Sequence, residues 1–287
     1  MVRRQMKEYD FAFSLGFCCT CSESLRAEGL QYSSAIFDWV GVSDVLQAPR
    51  IIASDFRDWF DRDLLDLWDV RITGGFATRV YRNRKTGIGF VHDFSNAEPI
   101  ETHYEAARAK YDRRIARFRA QFSAARRMLA VYLEVPKSGC AAAADIAEAR
   151  RLLASKRPDA EIDLLYMYED PSAAKWEIVS EGGGVTVVRA DYRTFLDGRL
   201  MHICRNDQLR DCLRTLAHVE DRRTPEEKAK FAELKRNERK ALLGNGSRFD
   251  MWLNKKMLRW FRNVEAYLES QKIMPADRPL WFDGDGK

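Results

Sequence analysis

Three thiols fall within four positions, Cys18, Cys19 and Cys21, where an apolar run (Phe11, Phe13, Leu15) meets Gly16 and a helical pattern begins. A thiol at a helix N-terminus lies beside unsatisfied backbone N–H groups and the positive end of the helix dipole, which favours the thiolate. Far downstream stands His92, one of four histidines, followed by Asp93. A thiolate and an imidazole that meet in space are the minimum equipment for nucleophilic acyl transfer, and such partners are distant in sequence. Cys19 and His92 are therefore the candidate nucleophile and base, with Cys18 and Cys21 as alternative nucleophiles. The bland alternative is a cysteine used as a small buried hydrophobe. A metal site built on Cys18-x-x-Cys21 and His92 would need further ligands, and neither a second Cys-x-x-Cys nor clustered histidines supply them. No metal and no organic cofactor is expected.

A catalytic imidazole needs an orienting group. Asp93 alternates to the opposite face of a regular strand from His92 unless the strand ends or bulges there, and Asp38 and Asn96 are its rivals for this role. Asp38 is preferred, because a carboxylate between Phe37 and Trp39 requires a partner. A second group, Arg113, Arg114 and Arg117, has the three- and four-residue spacing that lets two guanidinium groups share a helix face and hold a carboxylate or phosphate. The commoner fate of such a charge run is a solvated, ion-paired face.

Positioning these residues falls to a strand at residues 11–16 and a helix at 22–28 stopped by Gly29. Ser43 can cap a helix through Val45 and Leu46, and the spacing of Trp59, Phe60, Leu64, Leu65 and Trp68 predicts a helical face within residues 51–68. Short β-like runs at 70–73, 78–81 and 88–92 flank a turn at 83–87 and put His92 on the last strand of a hairpin. Residues 101–127 carry Tyr104, Ala107, Tyr111, Ile115, Phe118 and Phe122 at helical steps, with an arginine-rich opposite face. Strands at 128–135, 162–168 and 185–189 alternate with an alanine-rich helix at 141–155, the pattern of a small parallel sheet. Gly182-Gly183-Gly184 is a turn without a phosphate-binding motif. From Leu209 the chain reads as largely helical, with a charged stretch to Lys240, a break at Gly244-Asn245-Gly246 and an amphipathic segment over 248–268.

A chain of 287 residues, 46% hydrophobic, can bury a sizeable core. Its net charge of +5, from 48 basic and 43 acidic residues, is too small to argue for nucleic acid. Neither a secretory signal nor an apolar run of the roughly 18 residues needed to span a bilayer is visible. The Trp252, Leu253, Met257, Leu258 and Phe261 stripe, flanked by lysines and arginines, is expected to pack on the body and leaves room for peripheral membrane contact. Six cysteines without the spacing of a secreted disulfide framework fit a cytoplasmic setting.

Taken together, Phe13-Ser14-Leu15-Gly16-Phe17-Cys18-Cys19, Leu25-Arg26, Gly29-Leu30 and Ser34-Ala35-Ile36-Phe37-Asp38-Trp39 resemble the opening of the papain-like cysteine peptidase family of uncharacterised bacterial and viral domains. Gly89-Phe90-Val91-His92-Asp93-Phe94 resembles its His-Asp-Phe segment, and residues 110–118 its arginine-rich helix, so the likeness covers about residues 10–195. Ile36 stands where the family has proline. The resemblance implies an α+β (or α/β) fold with a papain-like core, a nucleophile at Cys19 and a base at His92. The expected organisation is a papain-like part over residues 1–127, a βαβ layer of the same domain over 128–200 and a helical extension over 201–287. The expected function is a cysteine-dependent hydrolase or acyltransferase acting on a peptide, amide or thioester. The alternative is a non-catalytic module binding a glycan or phosphate, related to surface polysaccharide metabolism, through Arg113, Arg114 and Arg117.

Overall fold

The computed structural model describes residues 6–17, 19–73, 76–95, 98–135, 138–192, 194–197, 200–203, 207–221, 223–229 and 232–233. In chain order the elements are β1 (Lys7–Tyr9), β2 (Phe11–Gly16), α1 (Cys19–Ala27), β3 (Val40–Gly41), α2 (Gln47–Ala53), a 3₁₀ turn (Arg62–Leu64), β4 (Leu65–Thr73), β5 (Phe76–Asn83), β6 (Gly89–Ser95) and α3 (Ile100–Ala124). They continue with β7 (Arg127–Leu133), α4 (Ala143–Lys156), β8 (Glu161–Glu169), β9 (Glu177–Gly182), β10 (Val185–Ala190), β11 (Thr194–Asp197), β12 (Leu200–Ile203), α5 (Asp207–Leu216) and β13 (Ala217–Val219). The fold is mixed α and β. Among the described residues no helix is long and apolar enough to cross a membrane.

The described residues form two compact units, one of residues up to 71 together with 77–220, the other of 72–76 and the described residues from 221 onward. The second shows a helical turn opened by a reciprocal cap: Thr224 N–H donates to the Glu227 carboxylate at 2.8 Å and Glu227 N–H to Thr224 Oγ1 at 3.2 Å.

The first unit is organised by a five-stranded sheet in the order β2-β7-β8-β10-β9. β2, β7, β8 and β10 run parallel and β9 closes the edge antiparallel. Strict alternation along buried strands supplies two apolar faces. Phe13, Leu15, Met128, Ala130, Tyr132, Ile162, Leu164 and Tyr166 meet the buried stripes of α2, α3 and α4. Ala12, Leu129, Val131, Leu133, Leu165 and Met167 meet Cys21 and Leu25 of α1 and Leu209, Cys212 and Leu213 of α5. Helices thus cover both faces, as a mostly parallel sheet requires. A separate four-stranded sheet, β3-β6-β5-β4, carries His92 on β6. It is anchored by Phe90, wholly buried and edge-on to Trp59, Phe60 and Tyr111 at 4.8 to 5.5 Å between centroids.

Residues 51–68 correct the expectation of one helical face. α2 ends at Ala53, Asp55, Phe56 and Asp58 take positive φ, and Asp61 caps a single 3₁₀ turn before Trp68 enters β4. Trp59, Phe60 and Leu65 are buried here by a turn and a strand instead, with Leu64 and Trp68 half-buried. The region after Leu209 is likewise not all helix, since α5 is followed by β13 pairing in parallel with β1. Of the charged stretch to Lys240, residues 230–231 and 234–240 lie outside the described residues, as do the Gly244-Asn245-Gly246 break and the 248–268 segment.

The five-stranded and four-stranded sheets are joined through Phe17. Its N–H donates to the Leu133 carbonyl at the end of β7 and its carbonyl accepts from Val42 N–H next to β3, both at 3.0 Å. Gly16 makes this possible: φ is +119°, and a Cβ there would lie 2.6 Å from the Val42 Cβ. Gly16→Ala combines an unfavourable φ with overpacking against a buried valine, and should destabilise the protein by at least ~2 kcal/mol in urea titration. An unchanged midpoint would show that the Val42 approach is not needed.

Candidate functional site

Cys19 opens α1 at the carboxyl end of β2, the side of a parallel sheet on which loops form ligand sites. It is half-buried, and its carbonyl accepts the Ser22 hydroxyl at 2.9 Å. Cys21, two residues on, is different. It is wholly buried, its thiol faces the Val131 carbonyl at 3.6 Å, and burial pushes its pKa up to about 12. Cys21 therefore packs as a hydrophobe and stays a thiol at neutral pH. Cys18 lies outside the described residues.

His92 is exposed on β6 and stands edge-on to Trp39, with ring centroids 5.8 Å apart and planes at 90°. The other neighbour of Trp39 is the Arg26 guanidinium of α1, 5.3 Å from the ring centroid. One indole thus spans from the helix that begins with Cys19 to the strand that carries His92. Asp93 turns to the opposite face, as strand alternation demands. Its carboxylate accepts the Tyr111 hydroxyl at 2.8 Å and pairs with Lys110, both on α3. Asn96 lies outside the described residues.

Asp38 is completely buried and holds the loop between α1 and β3. Its Oδ2 accepts from Arg26 at 3.0 Å, from the Gln31 amide at 2.8 Å and from Ala35 N–H at 2.8 Å. Burial raises its pKa, opposed by those donors and by the charges of Arg26 and Arg114. Its other oxygen, Oδ1, has no hydrogen-bond partner, and the same is true of the Gln31 side-chain carbonyl and of Arg114 Nη1. Arg117 reaches the loop as well, donating to the Ser34 carbonyl at 2.5 Å. Arg114 and Arg117 therefore converge on the Asp38 loop, Arg114 lying also over the Tyr111 ring at 5.6 Å. Arg113 is exposed, and its charge is felt by Lys110 and Arg117.

The apolar run at 128–135 also carries a buried acid that strand periodicity does not single out. Glu134 follows β7 directly, is 5% exposed, and accepts the Tyr166 hydroxyl at 2.5 Å and Val135 N–H at 2.8 Å. Its backbone is held too, by Met167 O at 2.7 Å and the Tyr192 hydroxyl at 2.9 Å. Burial raises its pKa, and the charge of Asp44 adds to the shift. A carboxylate ending a buried apolar strand was the signal available in the sequence.

Because the Glu134 pKa is raised from 4.5, the folded protein keeps this proton at a pH where the unfolded chain has released it. The stability it contributes is present below the ordinary value and is lost as pH rises through the raised one. Glu134→Gln removes that titration. The melting temperature of the variant relative to the parent should therefore rise as the pH increases upward from 4.5, the ordinary carboxyl value. A difference that is flat with pH, or that falls, would contradict the shift. No family model, curated protein or solved structure matches this chain.

Proposed function

We propose that the chain is a cysteine-dependent hydrolase or acyltransferase acting on a peptide, amide or thioester, with Cys19 as nucleophile and His92 as base. The observation that carries this is the bridge from α1 to β6: Cys19 begins the helix whose Arg26 covers Trp39, and Trp39 supports the His92 ring. The chemical inequality of the cysteines supports it, since Cys21 is buried and its thiol is hard to ionise while Cys19 is accessible at a helix start. The resemblance of residues 13–39 and 89–94 to papain-like cysteine peptidases points the same way.

In this reaction His92 takes the Cys19 proton and the thiolate attacks the substrate carbonyl carbon. The first N–H groups of a helix have no carbonyl of their own helix to bond, so those at the start of α1 are suited to hold the oxyanion. Collapse expels the leaving group, which receives the proton from His92, and water or an acceptor then cleaves the thioester. Asp38 acts here by fixing the loop that carries Trp39, and Arg114 and Arg117 are placed to receive an anionic group of the substrate.

A second reading, a non-catalytic anion-binding module, is favoured by Arg114 Nη1, buried without a hydrogen-bond partner beside Asp38. In that case ligand affinity survives Cys19→Ala and is lost in Arg114→Ala.

The test is the pH dependence of iodoacetamide alkylation at each cysteine, followed by mass spectrometry in the parent and in His92→Ala. Cys19 should react with an apparent pKa below the ~8.5 of a free thiol, and the substitution should move it upward. Cys21 and Cys212 should stay unlabelled until the protein is unfolded. Turnover of a thioester or amide substrate should fall about 10²- to 10⁴-fold in His92→Ala and vanish in Cys19→Ala. Slow labelling of Cys19 with an ordinary thiol profile, unmoved by His92→Ala, would overturn the proposal.

A further inference from the structure

Between α2 and the β5–β6 hairpin lies an open cleft of about 340 Å³, lined by Gln47, Arg50, Ile51, Ser54, Arg57, Asp58, Lys85 and Thr86. Three cations face it from three separate segments: Arg50 from α2, Arg57 from the turn after α2, and Lys85 from the hairpin. The one carboxylate on its wall, Asp58, is engaged by Lys85. Glu148 lies within electrostatic reach of Arg50 but is itself bound by Arg151 through both oxygens. Among the described residues the Arg50 and Arg57 guanidinium groups make no hydrogen bond to the protein.

The walls are built rather than incidental. Asn83, fully buried, donates to the Asp58 and Trp59 carbonyls at 2.7 and 3.2 Å and accepts from Lys85 and Thr86 N–H at 2.9 and 3.0 Å. One amide thereby locks the hairpin turn to the segment after α2. Gly87 brings the same turn close to α2, since at φ +75° a Cβ would lie 2.6 Å from the Gln47 amide nitrogen.

Within the segment after α2, every residue but one has a structural duty. Asp55 pairs with Arg119, Phe56 packs edge-on to Phe118 at 5.7 Å, Asp58 is tied to Lys85, and Trp59 is buried. Asp55, Phe56 and Asp58 hold φ of 57°, 62° and 59°, a region that costs a non-glycine residue energy, most of all a bulky one such as Phe56. This strained, anchored turn delivers Arg57 to the cleft, its backbone N–H bonded to the Ser54 carbonyl and its guanidinium left without a hydrogen bond to the described residues.

We propose that the cleft between α2 and the β5–β6 hairpin is a binding site for a small phosphate-bearing ligand, held by Arg50, Arg57 and Lys85. A planar carboxylate is satisfied by a single guanidinium. Two unbonded guanidinium groups from two walls, with the Lys85 ammonium beside them sharing its charge with Asp58, suit the several free oxygens of a phosphate monoester. The site is independent of Cys19 and His92.

The experiment is calorimetric titration of the full chain at near-physiological salt with inorganic phosphate and, in parallel, with glycerol 2-phosphate as a simple monoester. Binding should be saturable and one-to-one, and weakened about tenfold or more by Arg57→Ala and by Arg50→Ala, with Arg57→Lys in between. Circular dichroism checks that these exposed, unbonded side chains leave the fold intact. Tighter binding of the ester than of the free ion would identify an organic phosphate as the ligand, and equal binding the ion itself, both within the proposal. Absence of saturable binding would overturn it. So would affinity that survives both substitutions and is lost instead in Arg114→Ala, which places the anion on α3.

Discussion

The backbone of Phe17 is the constraint on which the arrangement depends. It lies between two sheets that have no strand in common, giving its N–H to the end of β7 and its carbonyl to the residue after β3. Buried backbone groups must find partners, so neither bond can be surrendered without a cost of about 1–3 kcal/mol. What the bonds join is functionally unequal. On one side the chain runs on into α1 and Cys19, and on the other β3 pairs with β6, in the register Val40 to Phe90, two residues before His92. Gly16 is the residue type that allows Val42 so close, and glycine at this point is a condition of the whole juxtaposition.

Asp38 and Arg26 provide a second fixation of the same corner. Burying a carboxylate is unfavourable unless it is paired and hydrogen-bonded, and Asp38 has one oxygen serving three donors while the other has none. Arg26 pairs with Asp38 by Nη1, donates to the Ser22 hydroxyl by Nη2 at 3.2 Å and lies 5.3 Å from the centroid of the Trp39 ring. Lysine carries the same charge but lacks both the fork and the flat face. The charge that stabilises the loop thus also sets the indole against which His92 rests.

Periodicity made much of this legible. The 11–16 strand, the helix closed by Gly29, the hairpin ending in His92 and the stripe of Ala107, Tyr111, Ile115, Phe118 and Phe122 all emerge from alternation or helical spacing, and each matches an observed element. The α2 to β4 stretch was not legible, because positive φ at Asp55, Phe56 and Asp58 has no glycine to announce it and tertiary burial overrides the helical spacing. β1 and β13, three residues each, pair across the length of the unit and leave no local pattern. For the site, the sequence singled out Cys19 and His92 but could not tell that Cys21 faces the core, nor that Asp38 would be committed to Arg26 and its own loop.

Glu134 bears on the chemistry of the neighbouring strand end. In a parallel sheet the carboxyl ends of adjacent strands present their next residues side by side, and Phe17 and Leu133 are hydrogen-bonded there. An ionised glutamate at such an edge would oppose formation of a thiolate on the same edge by simple repulsion. Burial, reinforced by the charge of Asp44, moves Glu134 the other way, toward the protonated form. As an acid it remains bonded to Val135 N–H and next to the Tyr166 hydroxyl, so the polar requirement of the buried group is met with reduced negative charge. The carboxyl end of β7, beside that of β2, therefore carries a glutamate whose burial opposes its ionisation, a feature that the sequence, read one residue at a time, does not display.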